Sequence, residues 1–253
     1  MAVIVMAVDI NYYRAIQGAV GLNSELETQK MEAKIRLYDQ IQESITFQED
    51  TLRNGEPQKL LVTKTDNVRK MNVHALPGEE LCLGDVIWCY NHYWIVTDMY
   101  ATDIIEHRGI MRQCNINLRF QVGTNEIYER PAVLDSGVYS TTLQTSDIAD
   151  IPNQQYKLYM HRDEQTEKIG RDKRLATEQW YDSDGNKILN VFRVTAFESD
   201  GVSYGDRGLI IFRLRGDQYS PTIDNYDEMV CDYIPPDSVN DLYRNSNTER
   251  RYW

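Results

Sequence analysis

The sequence predicts a mainly β protein: two small antiparallel β-barrel or sandwich domains, an N-terminal amphipathic helix and extended terminal arms. Three observations predict it. From residue 58 onward apolar side chains alternate with period two in short runs. Turn residues punctuate those runs roughly every eight to twelve positions, the spacing of sandwiches and small barrels. One earlier stretch instead repeats its apolar residues at three- and four-residue steps, the signature of a helix face.

The helix comes first. Ser24-Glu25-Leu26-Glu27 has the form of a capping box, with a hydroxyl and a glutamate able to satisfy each other's backbone amides. Leu26, Ala33, Leu37, Ile41 and Ile45 then recur along one stripe of about six turns, with Lys30 filling the gap, and Met31, Ile35 and Tyr38 widen it. A lone helix of this length is marginal in water, so the stripe must lie on a partner surface. Leu26, Leu37 and Ile41 are therefore candidate interaction residues. The preceding MAVIVMAVDI has no basic leader, and its apolar run stops at Asp9, so it reads as a strand or arm rather than a secretory signal. Gly55-Glu56-Pro57 ends the helical region, which places the arm and helix in residues 1–54.

Residues 55–143 form the first expected β domain. Its strands are Lys59–Thr63, Gly84–Tyr90, Tyr93–Thr97, Met111–Phe120 and Glu126–Leu134, with Asn91-His92 as a two-residue hairpin connection. The polar stretch 144–155 reads as a linker. A second β-rich domain spans 156–236, with strands at Tyr156–Met160, Val191–Phe197 and Gly208–Leu214, and with Trp180-Tyr181 leading into the turn Asp182-Ser183-Asp184-Gly185. Residues 237–253 are polar and carry Tyr243, Arg250, Arg251 and Trp253. No core can form there, so the segment is a tail or an arm ordered by a neighbour.

Composition narrows the function. The 253 residues hold 39 acidic and 27 basic side chains, a net charge of -12, which argues against a duplex-coating protein. Four cysteines in such a length do not make a disulfide scaffold and fit a reducing cytoplasm, and no segment reaches transmembrane length. The chain lacks a G-x-S-x-G nucleophile elbow, a P-loop and a strand-borne G-x-G-x-x-G. Its cysteines and histidines are scattered, and Asp182–Gly185 departs from the EF-hand spacing, so it is better read as a turn. Paired carboxylates such as Glu79-Glu80 and Asp103/Glu106 are expected by chance in so acidic a chain. No catalytic, cofactor-binding or metal-binding residue is assigned. Trp88, Tyr90, Tyr93 and Trp94 straddle one hairpin and suit either a stacking platform or a core. The apolar parity around Trp88 and Trp94 favours the core.

The segment Gly55–Tyr139, with later stretches that together cover most of residues 54–234, resembles structural proteins of tailed bacteriophages from the head–tail region. The resemblance is carried by Asn54-Gly55-Glu56-Pro57-Gln58-Lys59-Leu60-Leu61-Val62, Leu76-Pro77-Gly78-Glu79-Glu80, Gly84-Asp85-Val86-Ile87 and Tyr93-Trp94-Ile95-Val96-Thr97. It continues in Gly109-Ile110-Met111-Arg112-Gln113-Cys114-Asn115, its most specific part, then Leu118-Arg119-Phe120 and Glu126-Ile127-Tyr128-Glu129-Arg130. Val191–Thr195, Gly208–Ile211 and Asp224-Asn225-Tyr226-Asp227 add to it. The resemblance implies a non-enzymatic virion component of the head-closure type. Such a protein forms a homo-oligomeric ring in the neck, bound to portal or adaptor and tail proteins, with packaged DNA as a non-specific neighbour and no membrane partner. A β module that recognises a glycan or host surface, or another minor tail or capsid structural protein, is the alternative expectation.

Overall fold

A computed structural model describes residues 25–100, 106–123, 125–136, 155–198, 203–204 and 207–235. The chain is mainly β, with two sheets, one an open half-barrel and the other a closed six-stranded barrel, and an N-terminal helix, α1 (Glu25–Gln42).

The half-barrel takes β1 (Phe47–Gln48), β2 (Leu52–Arg53), β3 (Glu56–Pro57), β4 (Leu60–Lys64), β5 (Lys70–Ala75), β6 (Val86–Cys89), β7 (His92–Met99) and β8 (Arg108–Gln113). Their order is β1-β4-β5-β8-β7-β6-β2-β3, antiparallel throughout. The alternation of the sequence puts Leu60, Val62, Val73, Ala75, Ile87, Cys89, Trp94, Val96 and Met111 on the inner face, where Leu81 joins them. Each fully buried side chain of this kind contributes about 1.5–3 kcal/mol.

The barrel takes β9 (Ile116–Phe120), β10 (Tyr128–Ser136), β11 (Gln155–His161), β12 (Arg174–Tyr181), β13 (Lys187–Glu198), β14 (Ser203–Tyr204) and β15 (Arg207–Asp217). Six of them close on themselves because β11 pairs with β10 on one side and β15 on the other, while β14 is appended to β15. Leu118, Phe120, Leu158, Met160, Phe192, Val194, Phe212 and Leu214 fill the interior. The outer wall of β12 and β13 is covered as well. Residues 218–235 return across it, packing Tyr219, Tyr226, Met229 and Cys231 on Ala176, Leu189 and Val191.

The two sheets meet through Ile95, Val133, Leu209 and Ile211, with Leu83, Val86, Cys114 and Tyr159 at the margin. The chain crosses between them in a single step. The Cys114 amide donates to the Tyr93 carbonyl of the half-barrel (2.9 Å), and the next amide, Asn115, donates to the Ala132 carbonyl of the barrel (3.1 Å). The Asn115 carboxamide then acts as a substitute peptide, donating to the Leu134 carbonyl (2.8 Å) and accepting from the Leu134 amide (2.7 Å). Arg112 pairs with Asp135 (2.8 Å) and lies over the Tyr159 ring, and a ring nitrogen of His161 is hydrogen-bonded to the Gly84 carbonyl (2.8 Å).

Several expectations are corrected. Met111–Phe120 is not one strand: it splits at Cys114-Asn115 into β8 and β9, which belong to different sheets. Consequently β9 and β10, expected in the first β domain, pair within the barrel. Strand rhythm reveals extended chain but not which partner it selects. Residues 47–53, expected with the helix, form β1 and β2, because the helix stops at Gln42 and Asn54-Gly55 is a hairpin turn, with Asn54 at φ 51° and Gly55 at φ 88°. The β6–β7 turn is Tyr90-Asn91, one residue earlier than expected, with Cys89 opposite His92. The N-terminal arm, Ser24 of the capping box and most of the expected linker lie outside the described residues.

Gly84, at φ 80°, lies so close to the barrel that a Cβ there would stand 1.9 Å from the Gly208 carbonyl oxygen. Gly84→Ala therefore carries both left-handed strain and a backbone collision, and we expect a loss of about 2–4 kcal/mol in urea unfolding.

Candidate interaction surfaces

Ile41 is buried, and Ala33 and Leu37 are half-buried, so one flank of α1 is partly covered as expected. The other flank is not: Met31, Ile35 (54% exposed) and Tyr38 face solvent. Ile45, expected to extend the buried stripe, is 99% exposed, because the helix ends before it and the chain turns through Ser44. The side chain of Leu26, and all of Tyr243, Arg250, Arg251 and Trp253, lie outside the described residues.

A second surface lies on the outer face of the half-barrel. Register places Pro57 opposite Leu52, Leu52 opposite Trp88 and Trp88 opposite Tyr93, so these four form one row across β3, β2, β6 and β7. The Trp88 and Tyr93 rings stand 4.6 Å apart, tilted by 57°, and Tyr90 is exposed at the adjoining turn. Trp94 is in the core, 2% exposed, with its indole N–H donating to the Cys89 carbonyl (3.2 Å). Trp88 does not join it. Ile87 is the residue opposite Trp94, so the neighbouring Trp88 points outward, and the parity expected for it is corrected.

Behind this row sits Asp85, buried at the Gly-Asp step of β6. Its carboxylate accepts from Arg53 Nε (2.8 Å), Asn54 Nδ2 (2.7 Å) and the Cys82 amide (2.7 Å). Asn54 in turn accepts from the Val86 amide through its side-chain oxygen (2.8 Å). The motif thus binds the Asn54-Gly55 hairpin to β6. Its role is to hold Leu52 and Pro57 beside Trp88.

The third surface is the distal end of the β12–β13 hairpin, where Trp180 and Tyr181 are 55% and 64% exposed. The Asp182 carboxylate at its tip accepts from the amides of Asp184 (2.9 Å) and Asn186 (2.7 Å) and from Asn186 Nδ2 (2.9 Å). These bonds, the Asn186 side chain first, hold Asp182 below its ordinary pKa. The carboxylate closes its own turn, as the sequence reading expects of Asp182–Gly185. Among the described residues, no group of three or more His, Cys, Asp or Glu could hold a metal ion.

The charged side chains gathered most closely are structural. Arg174, buried on β12, donates to both Asp224 oxygens (2.8 and 2.7 Å), to Asp217 (3.2 Å), to Asp232 (3.0 Å) and to the Gln218 carbonyl (2.6 Å). It thereby ties residues 217–232 to the barrel. Burial works against its charge, but the hydrogen bonds it donates to Asp224 and Asp232 win and raise its pKa. Burial pushes the Cys89, Cys114 and Cys231 thiols up to about 12, so they are protonated at neutral pH.

No family model matches the chain, and no curated protein or solved structure matches it. The surfaces therefore have to be interpreted from their own chemistry.

Two sets of variants test these assignments. Trp94→Ala is expected to cost about 3–5 kcal/mol in denaturant unfolding. Trp88→Ala, which gives up mainly a half-exposed ring contact, is expected to cost about 1 kcal/mol. Asp224→Asn leaves Arg174 buried with an incomplete partner set and is expected to cost about 3–5 kcal/mol. In acid, burial raises Asp163 and Asp217, but the Thr166 amide with Arg130, and the Gln218 amide with Arg193, outweigh it and hold both carboxyls below 3.8. The unfolded chain then binds more protons, so their contribution is complete above pH 3.8 and disappears as pH falls through the folded values. Unfolding midpoints measured against pH should fall along that limb.

Proposed function

We propose that this chain is a non-enzymatic structural subunit of a tailed-bacteriophage neck, forming a ring of copies between portal and tail. One observation carries the assembly reading: α1 presents Met31, Ile35 and Tyr38 to solvent on a helix whose opposite flank is already partly covered. An apolar helix edge of this kind is stabilised when another surface covers it. The resemblance of most of residues 54–234 to head-closure proteins supplies the setting. The net charge of -12 supports the same reading, because a wall of like charge reduces the sticking of DNA that passes it.

A second reading, a β module that binds a glycan or host surface, is favoured by the outward Trp88–Tyr93 pair. The two separate in the virion. The neck reading expects the protein in purified particles at a fixed ring copy number, and expects particles without its gene to leak DNA or remain tailless. Normal tailed particles in its absence would overturn it. Trp88→Ala particles that assemble normally but no longer adsorb would favour the second.

A further inference from the structure

The exposed edge of α1 has a spacing of its own. Thr28, Met31, Ile35, Tyr38 and Gln42 stand alternately three and four residues apart, the a and d positions of a heptad repeat. Of the partly covered flank, Ala33 and Leu37 occupy f and c of the same heptads and face away from this seam, while the buried Ile41, at g, borders it. A period of 3.5 is what one helix needs to keep a seam against another, so the spacing indicates a helix as the occupant.

Charge beside the seam selects the occupant and its direction. Glu32 and Asp39 take e positions, and Glu27 and Lys34 take g positions. An antiparallel pair would set e against e and bring acid to acid along that side. A parallel pair sets g against e and brings Lys34 of one copy to Asp39 of the next, around every interface. It also brings Glu27 toward Glu32, which is already engaged by Arg36 on its own helix (3.8 Å). Parallel helices in register are also the arrangement that a cyclic axis permits, whereas antiparallel ones require a perpendicular two-fold.

We infer that copies of this chain associate through α1, in parallel and in register, with Met31, Ile35 and Tyr38 stacked in layers at the seam. This rests on the ring proposed above and specifies which surface makes it.

The test uses the full-length chain and purified particles. Ile35→Cys is expected to give a disulfide between copies under mild oxidation, while Gln29→Cys, at an outer b position, is expected to give none. Ile35→Asp is expected to lower the oligomer to the mass of one chain with an unchanged circular-dichroism spectrum, the residue being half-exposed in the single copy. Three results would overturn the inference. The first is a wild-type chain that remains monomeric at all concentrations tested. The second is an oligomer that survives Ile35→Asp while the Ile35→Cys variant forms no bond between copies. The third is a disulfide from the Ile35→Cys variant to a different virion protein. The neck reading stands or falls separately, on the deletion phenotype and on the presence of the protein in particles.

Discussion

The approach of Gly84 to Gly208 sets the relation between the two sheets. Backbone meets backbone there because neither residue carries a side chain, and the contact leaves no room for a methyl group. That closeness lets Ile95 on β7 reach Leu209 and Ile211 on β15, and lets a His161 ring nitrogen bond the Gly84 carbonyl. The apolar contacts give the junction its energy, while Asn115 and the Arg112–Asp135 pair give it a register. A larger residue at Gly84 would have to open all of these together.

A similar division holds at the other end of the barrel. Residues 218–235 pack Tyr219, Tyr226, Met229 and Cys231 on the outer wall, and Arg174 adds a polar tie by drawing Asp217, Asp224 and Asp232 onto one guanidinium. Such a cluster adds little or no net stability over a well-packed apolar substitute, but it penalises the loss of any one member heavily. It therefore fixes where the segment lies more than how firmly it is held.

The period-two strands are legible in the sequence because one face of each is buried: Leu60, Val62, Ile87, Trp94, Leu158, Phe192 and Phe212 stand where alternation places them. Partner choice is not legible. The run Met111–Phe120 shifts phase once, at the adjacent polar pair Arg112-Gln113, which marks neither an end nor a change of sheet, and the switch of sheets rests on the side chain of Asn115 mimicking a peptide, which a propensity reading sees only as a polar residue in a strand. Asn54-Gly55 is a strong hairpin signal, but a helical stripe carried on to Ile45 and closed only at Gly55 hides it. For the candidate surfaces, the helix is visible in the sequence, but its two flanks merge into one broad stripe. What covers Ile41 and leaves Ile35 bare depends on tertiary contacts that periodicity does not encode.

The half-barrel is an open sheet whose two borders are strands of two residues each, β1 and β3. Past β1, the rim strand β4 ends in Lys64, and Pro57 withholds an amide on the opposite border. Such ragged borders offer an incoming strand almost no ladder to extend. Among the described residues, the borders of this sheet therefore give a neighbouring molecule little backbone on which to template a fibril.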